Sequence, residues 1–317
     1  MDILYERLEE VAKNQKIGKL RLNFENLHNG YTENIGDGSK YIKSTDDAVC
    51  YAFYRMPSTT AVIKKCLSYI PENDTPYSIL DLGSGTGASV FAASSQENIN
   101  ISKMTCVENS SYMIEVFNKL TEEDFPFPVE VIKENILSIS KNYIADIVLA
   151  SFAINELNKK DRLAFLDKMW QMSNKYILII EPGTPAAHKE MMGYKKHFIE
   201  KGGVVVAPCK CNNCPIENTS DWCHFQVRLN RSSIESKIKQ SSRNFEDEKF
   251  TFLLISKENA IQSGNLNEGI LIRRPVINKG NISLVFCKKE GIERKIYSKK
   301  DGETYKKAKK LEVGDYF

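Results

Sequence analysis

Residues 79–87 read Ile79-Leu80-Asp81-Leu82-Gly83-Ser84-Gly85-Thr86-Gly87, an apolar strand that runs into a glycine loop, and Ala88–Ser94 behind them reads as a helix. Glycines at alternate positions let the backbone turn sharply and approach a ligand closely, at the strand end where doubly wound sheets bind nucleotides. The spacing is G-x-G-x-G. It departs from the dinucleotide pattern G-x-G-x-x-G because the third glycine comes one residue early. Asp81 lies two residues before the first glycine, and the next predicted strand ends in Glu108, a carboxylate able to accept both hydroxyls of a ribose.

Working outward, short apolar runs at Ser78–Leu82, Met104–Val107, Val129–Ile132, Ile147–Ala150 and Tyr176–Ile180 alternate with helix-length segments. That alternation predicts an α/β fold, a doubly wound Rossmann-like parallel sheet. A helix is expected around Ala186–Glu200, ending at Gly202–Gly203. Strands at about His224–Leu229 and Phe250–Ile255, flanking a helix near Ser233–Lys239, would complete the sheet. Upstream, Tyr5, Leu8, Val11 and Ala12, then Val62, Ile63, Cys66, Leu67 and Ile70, recur at helical spacing. Pro57 reads as the start of the second helix, and Asn29–Gly30 with Gly36–Gly38 as a loop between the two. The expected organisation is a helical N-terminal region at 1–75, a core at 76–258 with a cysteine-rich insertion at 207–224, and a basic β module at 259–317.

The chain has 317 residues, 42% hydrophobic and 27% charged, enough for about two globular domains. Its 44 Lys and Arg against 41 Asp and Glu give a net charge of only +3, which excludes a uniformly basic nucleic-acid packer. The charge is local instead. Leu271–Phe317 holds 13 Lys and Arg against 6 Asp and Glu, on alternating runs (Ile282, Leu284, Phe286; Ile292, Lys295, Tyr297) that suggest antiparallel strands. These cations can neutralise phosphates, and Tyr297 and Tyr305 offer faces on which bases can stack; a merely solvated basic face is the ordinary alternative. No apolar run approaches the length of a membrane span. Asp2, Glu6, Glu9 and Glu10 do not suit a secretory or transit segment, so a cytoplasmic, reducing setting is expected.

Eight cysteines are too few for a disulfide scaffold. Cys50, Cys66 and Cys106 stand alone in apolar surroundings and read as buried hydrophobes. Cys209, Cys211, Cys214 and Cys223 crowd one loop, and thiols so close in a reducing setting point to zinc or an iron–sulfur cluster. The fourth ligand is either Cys211 or the distant Cys287, which would staple the basic tail to the core; His224 is a further candidate for zinc.

The glycine loop with its acidic companions resembles the S-adenosylmethionine loop of Rossmann-like methyltransferases, a likeness that covers about residues 76–256. It implies that Asp81 and the backbone of Gly83, Ser84, Gly85 and Gly87 lie near the methionine and ribose parts, Glu108 on the ribose, and Glu134 and Asn135 at the adenine edge. Asn155 and Glu156, after the fourth strand, stand where such enzymes meet the acceptor; a helix cap and first-turn acid is the structural alternative. There is no Asn-Pro-Pro-aromatic motif and no Pro-Cys nucleophile at that strand end.

Several linked strings narrow the resemblance: YAFYRMPSTTA (Tyr51–Ala61), EPGTPAAHKEM (Glu181–Met191), VAPCKCNNCP (Val206–Pro215), DWCHFQVRL (Asp221–Leu229), NFEDEKFTFLLISK (Asn244–Lys257), RRPVINKG from Arg273 and KKDGETYKKAKKLEVGD near the end. Together they resemble the small-ribosomal-subunit methyltransferase-like family of mitochondrial assembly factors and their bacterial relatives. The resemblance implies a protein that binds the small subunit or its precursor, contacts its rRNA, and carries S-adenosylmethionine and a 4Fe-4S cluster; the basic tail is the expected rRNA contact, and a monomer is expected. Matched ligands are Cys209, Cys214, Cys223 and Cys287. The first pair is one residue closer than the family's C-P-x-x-x-x-C, and Cys211 is an additional thiol, so Cys209 and Cys211 both remain open. The expected activity is methyl transfer to rRNA. A non-catalytic assembly factor that keeps both cofactors is the alternative, and a small-molecule methyltransferase is disfavoured by the tail.

Overall fold

The computed structural model describes residues 1–13, 18, 20, 22–25, 41–122, 125–209, 213–239, 243–257 and 269–317. The expected loop at 29–38 and Cys211 lie outside them. By contacts the chain forms two compact units, one of Met1–Glu181 with Arg228–Glu248, the other of Pro182–Val227 with Lys249–Phe317.

The first unit is built on β1 (Tyr77–Leu82), β2 (Ile101–Glu108), β3 (Val129–Lys133), β4 (Ala145–Ser151) and β5 (Ser173–Pro182, its last residue in the second unit), in the order β3-β2-β1-β4-β5. All neighbouring pairs are parallel. The chain lays β2 and β3 on one side of β1 and then β4 and β5 on the other. The order therefore reverses at β1/β4, the switch point at which a doubly wound sheet opens a crevice beyond its carboxyl ends. Ile147, Val148, Leu149 and Ala150 of β4 are wholly buried, as a strand covered on both faces requires.

Helices that precede or separate the strands include α1 (Asp2–Ala12), α2 (Thr45–Leu67), α3 (Ala88–Ser94), α4 (Ser111–Leu120) and α5 (Lys159–Met172). α2 packs on α1, α3 and α4. Its start corrects the reading of Pro57, which sits inside the helix rather than at its first turn. The true start is Ser44, whose Oγ accepts the Asp47 N–H at 3.2 Å with Asp46 and Asp47 in the first turn, a cap of the usual kind. An interior proline costs about 3 kcal/mol. Buried Ala52, Phe53, Met56, Thr60, Ile63 and Leu67 offset that by packing. Cys50, Cys66 and Cys106 are fully buried, as expected.

Residues 228–248 return to the first unit with the second half of β7 (Phe225–Asn230), α7 (Ser233–Ile238) and the beginning of β8 (Phe245–Ser256). A buried ion network ties this return to α1. Lys239 Nζ lies 2.7 Å from Glu235 and 2.6 Å from Glu246, Arg231 lies 3.1 Å from Glu246, and the Tyr5 hydroxyl donates to Asn230 O at 2.8 Å.

In the second unit α6 (Pro185–Glu200) is followed by β6 (Val204–Ala207), which runs antiparallel to β8. A separate small sheet comprises β9 (Ile270–Leu271), β10 (Val276–Asn278), β11 (Asn281–Lys288) and β12 (Gly291–Ser298), antiparallel as its sequence alternation predicted. α8 (Gly302–Ala308) closes it over a core of Leu271, Ile282, Leu284, Phe286 and Ala308. Tyr297 and Tyr305 pack against that core. Both are only partly buried. Arg273 is likewise engaged: it pairs with Asp221 and donates to Trp222 O at 3.1 Å. Among the described residues no helix is long and apolar enough to cross a membrane.

Candidate functional site

The glycine loop leaves β1 at the switch point with Gly83 at φ +87°, Gly85 at +55° and Gly87 at +93°. These left-handed values favour glycine, and at two positions space enforces the choice as well. A Cβ on Gly83 would lie 2.9 Å from the Ala153 side chain, and one on Gly87 2.9 Å from the Phe117 ring. The loop is anchored to β2: the Gly83 and Ser84 N–H groups donate to Val107 O at 2.9 and 3.0 Å.

Glu108 closes the arrangement. Its Oε2 accepts the Gly85 N–H at 2.9 Å, while Oε1 accepts those of Asn109 at 2.9 Å and Ser110 at 2.8 Å. Burial raises its pKa and the three N–H groups oppose that rise. One oxygen thus carries two backbone bonds and the other only one.

A cavity of about 200 Å³ opens beside the loop, lined by Gly83, Gly85, Glu108, Asn135 and Glu156 among the residues expected from sequence. The other expected residues do not line it. Asp81 is 1% exposed, its Oδ2 accepts the Ser89 hydroxyl, and its Oδ1 is buried without a partner. Burial pushes its pKa up to about 7. Ser84, Gly87 and Glu134 also stay off the wall, as does Asn155, whose Oδ1 is buried without a partner.

Sequence reasoning missed several groups here. Tyr51 of α2 lines the cavity, its pKa raised by burial and then by Glu156. Met113, Ile136 and Leu137 add apolar wall. Phe152 lines it too and adopts φ +56°, a left-handed conformation that a bulky residue rarely takes. Glu181, at the end of β5, is 3% exposed and holds the turn Ile154–Glu156 from below: its Oε1 accepts the Ile154 and Asn155 N–H groups at 3.1 and 3.3 Å. Burial pushes it up to about 8. The signal for Glu181, a lone acid closing the apolar run Tyr176–Ile180, was in the sequence.

The second unit holds the other constellation. Cys209, Cys214, Cys223 and Cys287 line one small cavity of about 20 Å³ together with His188 and Lys195. The Cys223 thiol is pushed well up by burial first and then by Cys209, Cys287 and Cys214. The loop that carries Cys209, Cys214 and Cys223 is pinned at both ends, by the Trp222 indole donating to Gly183 O at 3.1 Å and the Tyr316 hydroxyl donating to Pro208 O at 2.7 Å. Among the described residues, no group of three His, Cys, Asp or Glu side chains is arranged to hold a single metal ion. His224 is stacked on Trp222 at 5.2 Å and does not line the cavity, which removes it as a ligand candidate.

A β3-β2-β1-β4-β5 parallel sheet with a glycine-loop cavity at its switch point defines a Rossmann-like protein of the methyltransferase type. The chain belongs to the Rsm22 family: the family model described as mitochondrial small ribosomal subunit Rsm22 matches residues 45–317. The human mitochondrial ribosome assembly protein METTL17 is 29% identical over 148 residues, which is 42% of this chain and 32% of that protein. The match thus spans about a third of the relative's length. Among solved structures, the magnesium protoporphyrin IX methyltransferase of Synechocystis with bound SAM has a TM-score of 0.38 at 9% identity, covering 68% of this chain and 85% of that one. The ribosomal protein L11 methylase of Lactobacillus delbrueckii also scores 0.38 at 9%, covering 65% and 80%. Likenesses this weak carry no functional weight; the fold rests on the strand order.

Proposed function

We propose that the protein is an S-adenosylmethionine-dependent methyltransferase-like protein of the small ribosomal subunit, acting on rRNA as a monomer in the cytoplasm. The observation that carries the cofactor reading is Glu108. It is fixed by three backbone N–H groups beside a glycine loop, and it keeps acceptor capacity on Oε2 for a ribose hydroxyl. Met113, Ile136 and Leu137 suit the flat apolar face of a purine, and the loop's exposed backbone suits the methionine end. When bound, the cofactor would supply an electrophilic methyl group. This chain's part is then to position an acceptor, for which Glu156 and Tyr51 face the cavity. Asp81 acts from behind the loop, through Ser89, and not by contact.

The ribosomal part of the reading is supported by the family and by the human relative's name. The basic module adds physical support: Lys289, Arg294, Lys299, Lys300, Lys307, Lys309 and Lys310 are exposed and able to meet phosphates. The iron–sulfur reading rests on the donor set. Four soft thiols from β11 and one pinned loop line one void. Soft thiolates of this number suit an iron–sulfur cluster, with zinc as the alternative. Cys209, Cys214, Cys223 and Cys287 would hold it.

The experiment is transfer of a radiolabelled methyl group from S-adenosylmethionine to small-subunit particles from a strain lacking this gene. The protein is purified anaerobically, and Glu108→Ala serves as the control. Label in the rRNA that vanishes with Glu108→Ala establishes the enzyme. One observation favours the second reading, a non-catalytic assembly factor: Asn155 lies off the cavity wall with its amide oxygen buried. Bound particles without label would select it.

A further inference from the structure

Two side chains of α6 stand in the cysteine cavity with no part in the reading above. His188 is 5% exposed, lines the cavity beside the four thiols, and has both ring nitrogens buried without a partner. A neutral imidazole carries one donor and one acceptor, and native folds rarely leave both unpaired inside protein. Lys195, two turns further along the same helix face, is 3% exposed and donates from Nζ to Cys209 Sγ at 3.6 Å. Much of the remaining wall, Met192, Phe252, Leu253 and Ile270, is apolar and offers little to an ordered water. The cavity thus presents two buried donors to whatever the thiols hold.

We propose that His188 and Lys195 donate hydrogen bonds to the sulfur atoms of the cluster held by Cys209, Cys214, Cys223 and Cys287, and so raise its reduction potential. The inference rests on the iron–sulfur reading. A donor aimed at cluster sulfur draws off negative charge and favours the reduced state, which carries one electron more.

The test uses the full chain, purified anaerobically, as wild type, His188→Leu, His188→Gln and Lys195→Met. Iron and acid-labile sulfide are quantified first, and the cluster is then titrated with dithionite and followed by electron paramagnetic resonance. His188→Leu should shift the one-electron reduction equilibrium about tenfold toward the oxidised state, about 59 mV more negative. Lys195→Met should move the same way, and His188→Gln, which keeps a donor, should stay near wild type. Loaded His188→Leu and Lys195→Met proteins at the wild-type potential overturn the proposal while leaving the cluster intact. Wild-type protein without iron and sulfide overturns the cluster reading itself. Where His188→Leu does not retain a cluster, Lys195→Met decides by the same criterion.

Discussion

Replacing Glu108 with Gln keeps the side chain's size and exchanges one carboxylate oxygen for an NH₂ group, which cannot accept. Oε1 carries the Asn109 and Ser110 N–H bonds, and Oε2 carries that of Gly85 alone. The amide nitrogen therefore turns toward Gly85, where it costs one backbone bond rather than two. That is also the side with a lone pair to spare for a ribose hydroxyl. The ligand then loses one charge-assisted bond of about 1.5–3 kcal/mol, and the Gly85 backbone loses the anchor that shapes the loop. Taking about 2–3 kcal/mol for both, S-adenosylmethionine affinity should fall roughly 30- to 150-fold. Isothermal titration calorimetry on the full chain measures it. Circular dichroism and thermal melting check that Gln has not unfolded the protein. A well-folded Glu108→Gln protein that binds within threefold of wild type would falsify the assignment of this carboxylate to the ligand.

Other perturbations test the remaining parts. Burial raises Asp81 from its ordinary 3.8 to about 7 and Glu181 from 4.5 to about 8, so the folded protein keeps protons that the unfolded chain has released. The stability tied to these protons is complete below about pH 4 and is lost as pH rises through 7 and 8. The Tm should thus be higher at pH 5.5 than at pH 8.5, and Glu181→Gln should flatten the upper part of the profile; an unchanged slope in that variant refutes the assignment. Lys239→Met leaves Glu235 and Glu246 in a largely buried site without their closest cation and should cost about 3 kcal/mol in urea unfolding. A loss below 1 kcal/mol would mean that Arg231 alone suffices. If the exposed lysines of the tail meet phosphates, replacing Lys307, Lys309 and Lys310 by Gln should lower the salt-dependence slope of rRNA binding by about 2–3. An unaltered slope removes these lysines from the interface.

The sheet was legible because its strands are short apolar runs broken by turn residues, and the glycine loop was legible because only glycine takes φ +87° and +93° in so little space. The side on which each residue faces was not. β1 is buried along nearly its whole length, so period-two alternation cannot reveal whether Asp81 faces the cavity or lies behind it beneath Ser89. Tyr51, Phe152 and Glu181 escaped for a related reason. They reach the site from separate elements, and no local spacing records the tertiary meeting of α2 with the ends of β4 and β5. The start of α2 was misread because proline is a strong local signal, whereas the competing cap at Ser44 gains its force from a helix whose face is buried by distant partners. Cys287 is the opposite case. It lies far along the chain from the other thiols, and the residues alone left it as one of two candidates for the fourth thiol, beside Cys211; the structure brings Cys287 to the same cavity as Cys209, Cys214 and Cys223.

The two constellations differ in how far each is prepared for its ligand. Among the described residues, the cysteine cavity is lined by four thiols, apolar side chains and the polar groups of His188, Lys195 and Thr251. The glycine-loop cavity is prepared on one side only. Its cofactor half is rigid, with Glu108 held by three N–H groups and the loop tied to Val107. The opposite side is a turn suspended on the buried Glu181, with the Asn155 amide oxygen buried and Glu156 and Tyr51 among the residues on the cavity wall. Rate in a methyl transfer comes chiefly from holding the acceptor in line with the methyl group, and this strand end lacks the Asn-Pro-Pro frame. An acceptor presented by the ribosomal particle itself would supply that missing constraint. If the proposed activity holds, the particle, rather than free RNA, is the substrate on which it has to be sought.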